Sequence, residues 1–426
     1  MHRFLMSLNL FLLTTVLAGQ EYDWPQWQGP TRDSKSPETG LLQAWPAGGP
    51  KLLYQLKGFG EGYSTPVIHK GIIYGMSWRG SPGSKEDGIW AYDEANQKEL
   101  WFTPIGKADE KIGYNHGTRS SPTIDDDKIY GLTAQGDLGC LELATGKLLW
   151  KSEFKKQLGG KMMQSWGYSE SVLVDGDLVI ATPGGSTNTV VAFNKKTGSI
   201  VWRSAISNGG GAGYSSPVVM TVGGTKMYIT WLEKCIVGGD AKTGRELWRN
   251  SKVAGGVANI PTPIDQGDLV FCTTGYNQSN GGSVLLKITK QGRSFQAKEL
   301  WYLDNRSFMN HHGGVVLVDN HLYGGHGQND GQLRCVNFTT GKLSYQARGV
   351  GSGSAAILYA DGHLYYRYQD GTMALVKVNP AKAEVVSKFK LPYDSGKPSW
   401  PHPVICNGKL YIRDMDVIMV FDLKGT

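Results

Sequence analysis

Arg119, Trp166, Tyr214, His311 and Trp400 carry the side chains along this chain that could hold a ligand. A guanidinium pairs with anionic groups through short, charge-assisted hydrogen bonds. Indole and phenol rings offer flat apolar faces with polar edges. Each of the five lies in a short segment rich in Gly, Ser and Pro, such as Gly117-Thr118-Arg119, Gly213-Tyr214-Ser215 and Ser399-Trp400-Pro401-His402. A mixture of this kind suits a polar ligand with a planar or anionic part.

Other patterns point away from catalysis and metals. The pair His311-His312 supplies imidazoles, but a zinc site needs further ligands. Neighbours on a strand also point to opposite faces, so one ring is expected to face a site and the other away from it. Asp125-Asp126-Asp127 has turn composition and lacks the spacing of a calcium loop. Gly209-Gly210-Gly211-Ala212-Gly213 is not followed by a helical pattern, so it is no phosphate loop. No G-x-S-x-G, H-E-x-x-H or Walker pattern occurs. The formal charge of +7 is spread over turns and strand ends, which argues against nucleic acid as a partner.

Positioning five scattered residues requires a repeating scaffold. Thr145-Gly146 leads through Lys147 to Trp150, Thr197-Gly198 to Trp202, and Thr243-Gly244 to Trp248. With Trp101 and Trp301 the motif recurs about every fifty residues, the sign of a propeller or array. Gly supplies 58 of 426 residues, fitting many tight turns between short strands. First strands open at Ser64-Thr65-Pro66, Ser121-Pro122, Ser169-Glu170-Ser171, Ser216-Pro217, Thr262-Pro263, Gly313-Gly314, Ala355-Ala356 and His402-Pro403. Fourth strands end near Tyr54, Trp101, Trp150, Trp202, Trp248, Trp301, Tyr345 and Phe389.

The phase of these marks predicts an all-β, eight-bladed propeller of four-stranded antiparallel blades. The strand around Leu52–Leu56 precedes every first strand, and the last set lacks a fourth. Residues 51–57 are therefore expected to complete the final blade, closing the ring and leaving no free edge. Trp150, Trp202 and Trp248 are expected to be buried. Cys140 and Cys335 fall at equivalent repeat positions, too far apart to bridge, so free buried thiols are expected.

Residues 1–20 read as a removable signal peptide. Arg3 precedes the apolar run Phe4 to Leu17, and Ala18-Gly19 offers a small cleavage site with no Cys nearby to carry a lipid. The remainder, 21–426, is expected to be one domain, periplasmic or secreted, monomeric and without a transmembrane segment.

The Thr-Gly-x-x-x-Trp turns and the segment Trp24-Pro25-Gln26-Trp27-x-Gly29-Pro30-x-Arg32 resemble the pyrroloquinoline-quinone-like (PQQ-like) repeat propellers over about residues 22–426. The resemblance implies that each repeat Trp docks between adjacent blades. It also implies two functional branches. Quinone-dependent dehydrogenases hold pyrroloquinoline quinone and calcium beneath a pair of adjacent cysteines, with Glu, Asn and Asp in support. This chain has no adjacent cysteines, and Asn259 and Asp330 are candidates that no motif aligns. The other branch is the non-catalytic propeller lipoprotein of outer-membrane protein assembly. The expectation is a binding or scaffold protein without a cofactor, taking a protein partner or a polar small molecule at the channel mouth. A quinoprotein oxidoreductase is the alternative.

Overall fold

The computed structural model describes residues 22–114, 117–276 and 281–425. The expected leader, 1–20, and His116, Asn277 and Gln278 of the channel-mouth loops lie outside the described residues. Eight four-stranded antiparallel sheets form the blades of a propeller. Blades 1 to 7 take consecutive strands from 67–107, 123–153, 173–204, 218–250, 264–304, 310–347 and 355–390. Seven of the eight first strands begin within about two residues of the openings read from the sequence, and that of blade 6 begins earlier, at Asn310.

Blade 8 combines Val404–Cys406, Lys409–Asp414 and Val417–Asp422 with Leu52–Leu56 as its fourth strand. Tyr54 pairs with Val420 and Leu56 with Ile418. Tyr54 and Tyr411 both donate to the Glu94 carboxylate, which also takes Lys409 at 2.5 Å, so the closed blade is tied to blade 1. The ring thus ends without an unpaired edge at its seam.

The Ser/Thr-Pro starts have a physical role. Ser121 N donates to Ser171 Oγ, and Ser171 N donates to Ser216 Oγ, both at 2.9 Å. His402 N donates likewise to Thr65 Oγ1 at 2.9 Å. Each hydroxyl satisfies a buried amide of the preceding blade that the sheet ladders leave unpaired. Pro66 and Pro217, which follow Thr65 and Ser216, have no such amide to satisfy.

The repeat tryptophans dock largely as the family resemblance implies. Trp101, Trp150, Trp202 and Trp301 lie over Gly146, Gly198, Gly244 and Gly341 of the next blade. Trp150, Trp202 and Trp301 donate Nε1–H to that blade's Lys195, Ala241 and Phe338 carbonyls. Two expectations need correction. Trp150 and Trp202 are half-buried, because docking at the rim leaves one edge in solvent. Trp248 is buried but turns back onto its own blade, with Nε1 3.1 Å from Met227 Sδ. The next blade has no Thr-Gly corner to receive it. Its strands Gly282–Gln291 and Ser294–Asp304 form one long hairpin instead.

All five cysteines are buried and free, with their thiols pushed upward in pKa by burial. Asp125-Asp126 is a turn held by Lys195 Nζ at 2.6 and 3.2 Å.

The N-terminal segment has a larger role than a family mark. Trp24 bridges to Ile68 of blade 1, and Pro25 O accepts from Ile124 of blade 2. Arg32 donates to Ser171 O at 2.8 Å and Val172 O at 3.2 Å of blade 3. Trp27 Nε1 donates to Thr262 Oγ1 of blade 5 at 3.0 Å, and Ser34 and Ser36 bond Tyr359 of blade 7. A chain with partners all around the ring crosses the channel and blocks it. Cavities lie on both sides of this crossing, and Gln28 lines both.

Candidate functional site

The cavity on the first-strand entry side has a volume of about 250 Å³. Its floor is Trp27 and Gln28 of the crossing segment, and its walls come from segments that precede or open the blades and from loops between second and third strands that carry Tyr276, Asn329 and Gln369. The site is therefore a blind cup, not an open tube. Arg119, Trp166, Tyr214, His311 and Trp400 all line it.

Two aromatic stacks line the cup, and His312 links them, its ring 4.5 Å from Trp400 and 6.4 Å from Tyr276. Trp166 lies 6.3 Å from Tyr276, with planes 14° apart, and touches Tyr214 at 5.9 Å. Trp400 stacks on Tyr63 at 4.9 Å and 26° and donates Nε1–H to Gln369 Oε1. Trp27 packs on the His402 ring at 4.6 Å.

The alternation expected of His311 and His312 does not hold. Their rings lie 3.6 Å apart and both face the cup. The ladder between Asn310–Val318 and His321–His326 is broken between Asn310 and Val315. The Asn310 side chain replaces the missing bonds. It accepts from Gly314 N at 2.8 Å and donates to Gly314 O and Gly325 O at 2.9 Å. A bulge re-aims side chains and removes the two-residue period.

Arg119 is placed in the wall but differs from the expected free cation. Its terminal nitrogens donate to Gly117 O, Gly113 O and Tyr114 O at 2.7, 2.6 and 2.8 Å. Buried Asp87, its carboxyl pushed up to about 7 by burial, shares its neighbourhood electrostatically. Arg119 therefore braces the loop as well as bordering the cup, and removing it would disturb the wall.

Burial pushes the pKa of His311 and His402 down to about 4 and that of His312 well below its usual value. The three rings are thus neutral at pH 7. His402 Nε2 lies 3.1 Å from the His312 carbonyl, which can only accept, so the proton is on Nε2 and Nδ1 is bare. Among the described residues, His402 Nδ1 and His312 Nδ1 are buried with no hydrogen-bond partner.

Asn259 and Asp330 lie elsewhere. Asn259 spends its amide on Leu232 O, Glu233 O and Gly255 N, and Asp330 accepts from Gln332. Trp78, Arg79, Trp231, His326 and Arg367 do not line the cup, whereas Gln328, Asn329 and Gln369 do. The sequence reading gave no site role to Trp27, Gln28 and Tyr63. The crossing that brings in the first two depends on contacts across the ring, which leave no local periodic mark.

A sequence profile described as outer membrane protein assembly factor BamB matches residues 85–324, more than half of the chain. The chain belongs to the PQQ-like repeat propeller family. It is 32% identical over 112 residues to outer membrane protein assembly factor BamB of Xanthomonas campestris pv. campestris, which is 26% of each protein. It is 29% identical over 146 residues to the quinohemoprotein alcohol dehydrogenase ADH IIB of Pseudomonas putida, 33% of this chain and 19% of that enzyme. The chain thus spans about a quarter or less of these curated relatives. Its fold matches BamB from Moraxella catarrhalis at TM-score 0.60 and 14% identity, over 88% of this chain and 98% of that one. It matches the quinohemoprotein alcohol dehydrogenase from Comamonas testosteroni at TM-score 0.64 and 14% identity, over 95% and 81%. At such identity the likeness is one of fold, and this family's fold serves both branches.

The cup does not fit pyrroloquinoline quinone with calcium. Calcium takes six to eight oxygen ligands, carboxylates prominent among them. Among the described lining residues there is no carboxylate and no cysteine. The chemistry present is imidazole, guanidinium, amide, hydroxyl and aromatic face.

Proposed function

We propose that this chain is a non-catalytic binding propeller, exported after removal of its leader, whose cup holds a polar small molecule. The observation that carries the reading is the blind cup itself. Aromatic walls enclose buried, unpaired ring nitrogens over a floor supplied by the N-terminal crossing. A buried polar atom without a partner costs about 1–3 kcal/mol, which a bound ligand can recover.

The test is a thermal-shift screen of polar small molecules on wild type and Trp400→Ala. A stabilising hit lost in the variant, with little change in unliganded melting, supports the reading. Hits unaffected by the variant place the ligand elsewhere. The family match to an assembly factor supports a second reading, a scaffold for a protein partner, which stands if the screen gives no cup-dependent hit. Reconstitution with pyrroloquinoline quinone and calcium, followed by dye reduction with alcohols and sugars, should give no turnover above background. Chelator-sensitive turnover would make the oxidoreductase reading primary.

A further inference from the structure

The floor of the cup contains a niche with both hydrogen-bond polarities. Gly314 has φ +73°, and a side-chain carbon there would stand 3.1 Å from His402 Cε1, 3.5 Å from Gln28 Nε2 and 3.9 Å from His402 Nδ1. A side chain at Gly314 would thus crowd the floor beside a bare imidazole nitrogen, an acceptor, and an amide NH₂, a donor. His402 is 5% exposed and Gln28 6%. One group satisfies both neighbours at once, a hydroxyl.

The walls narrow the rest of the ligand. The bare Nδ1 of His402 calls for a donor, which a phosphate or ionised carboxylate lacks. Burial keeps the His312 and His402 rings neutral at pH 7. Arg119, the one guanidinium in the wall, is held by three backbone carbonyls. The Trp166–Tyr276 and Trp400–Tyr63 stacks suit a ring with apolar faces and polar edges. A water's share of liquid volume is about 30 Å³, so the cup holds the bulk of about eight waters, enough for one substituted six-membered ring.

We propose that the cup binds a neutral hydroxylated ring, a monosaccharide or cyclic polyol, with one hydroxyl donating to His402 Nδ1 and accepting from Gln28 Nε2 over Gly314. This rests on the reading of the cup as a ligand site. The ring's apolar face lies against the aromatic stacks, and its remaining hydroxyls meet His312 and the wall amides.

The experiment is isothermal titration at pH 7.5 with glucose, N-acetylglucosamine and myo-inositol, beside glucuronate, glucose 6-phosphate and adenine. At least one neutral hydroxylated ring should bind, and more tightly than its charged analogues. His402→Phe keeps a ring against Trp27 but removes the acceptor, and one hydrogen bond is worth about three- to tenfold in affinity. Gly314→Ala should abolish binding, and Gln28→Leu should match His402→Phe if the alanine variant fails to fold. Full affinity in folded His402→Phe and Gln28→Leu overturns the proposal. So does preference for adenine or an anion; if that binding is lost in Trp400→Ala, the cup remains a ligand site with another ligand class. No binding by any of the six overturns the saccharide assignment. If the wider thermal-shift screen is also silent, the binding reading falls with it.

Discussion

Replacing Gly198 by Ala tests how the blades are joined. Gly198 has φ +71°, and an added side-chain carbon would stand 2.6 Å from Trp150 Cδ2 and 2.7 Å from Cε3. The left-handed backbone costs about 1–2 kcal/mol for a residue with a side chain. Relieving the overlap must push Trp150 away, breaking its 3.1 Å bond to Lys195 O, for about 1 kcal/mol more. The expected loss is about 2–4 kcal/mol once some stacking is also lost. Trp150→Ala should cost less than the roughly 3–5 kcal/mol of a fully buried Trp, because its ring is half-buried. The double variant has no ring to collide with, so only the backbone strain should add to the Trp150→Ala loss. Denaturant unfolding of wild type, both single variants and the double variant measures the coupling, expected at about 1 kcal/mol or more. Additivity within about 0.5 kcal/mol would refute the stacking account.

Three further outcomes follow from the same structure. Deleting residues through 60 removes both the closing strand and the cup floor, and should give aggregation or a large drop in melting temperature; a stable monomer by light scattering would contradict the closure. Arg32→Met strips the donors from Ser171 O and Val172 O and removes the charge that opposes the upward shift of buried Glu170, already at about 7. It should cost about 1–3 kcal/mol in denaturant unfolding and weaken ligand binding through the floor, whereas unchanged values would detach the crossing from the cup. His402 titrates near 4 when folded against an ordinary 6.5, so the unfolded chain takes the proton first as pH falls. Its contribution is intact above pH 6.5 and lost towards pH 4, so the stability gap between wild type and His402→Phe should shrink by up to roughly 3 kcal/mol over that window. A gap independent of pH would mean that His402 is not held neutral.

The architecture was legible because each blade repeats the same local chemistry. Ser-Pro starts, Gly corners and Trp ends recur in phase, and the unmatched strand at Leu52–Leu56 already implied how the ring closes. The gathering of Arg119, Trp166, Tyr214, His311 and Trp400 followed from that phase alone. Local departures from the repeat were harder to read. The alternation rule failed at His311-His312 because the Asn310 amide substitutes for ladder bonds, and the Gly313-Gly314 pair was the available signal for a bulge. Trp248 departed because its receiving corner is absent from the next blade, a property of residues some forty positions downstream. The crossing of Trp24 to Ser36 was invisible for the same reason. Arg32 meets Val172 at a separation of 140 residues, and no periodicity marks such a contact.

The central claim is that the blind cup is the ligand site of a binding propeller. A crystal structure of the full chain grown with the most stabilising compound from the screen tests it most directly. The account predicts ligand density between the Trp166–Tyr276 and Trp400–Tyr63 walls, with a polar atom within hydrogen-bonding distance of His402 Nδ1. Density at the blade rim or on the far side of the N-terminal crossing, with the cup holding only water, would contradict it.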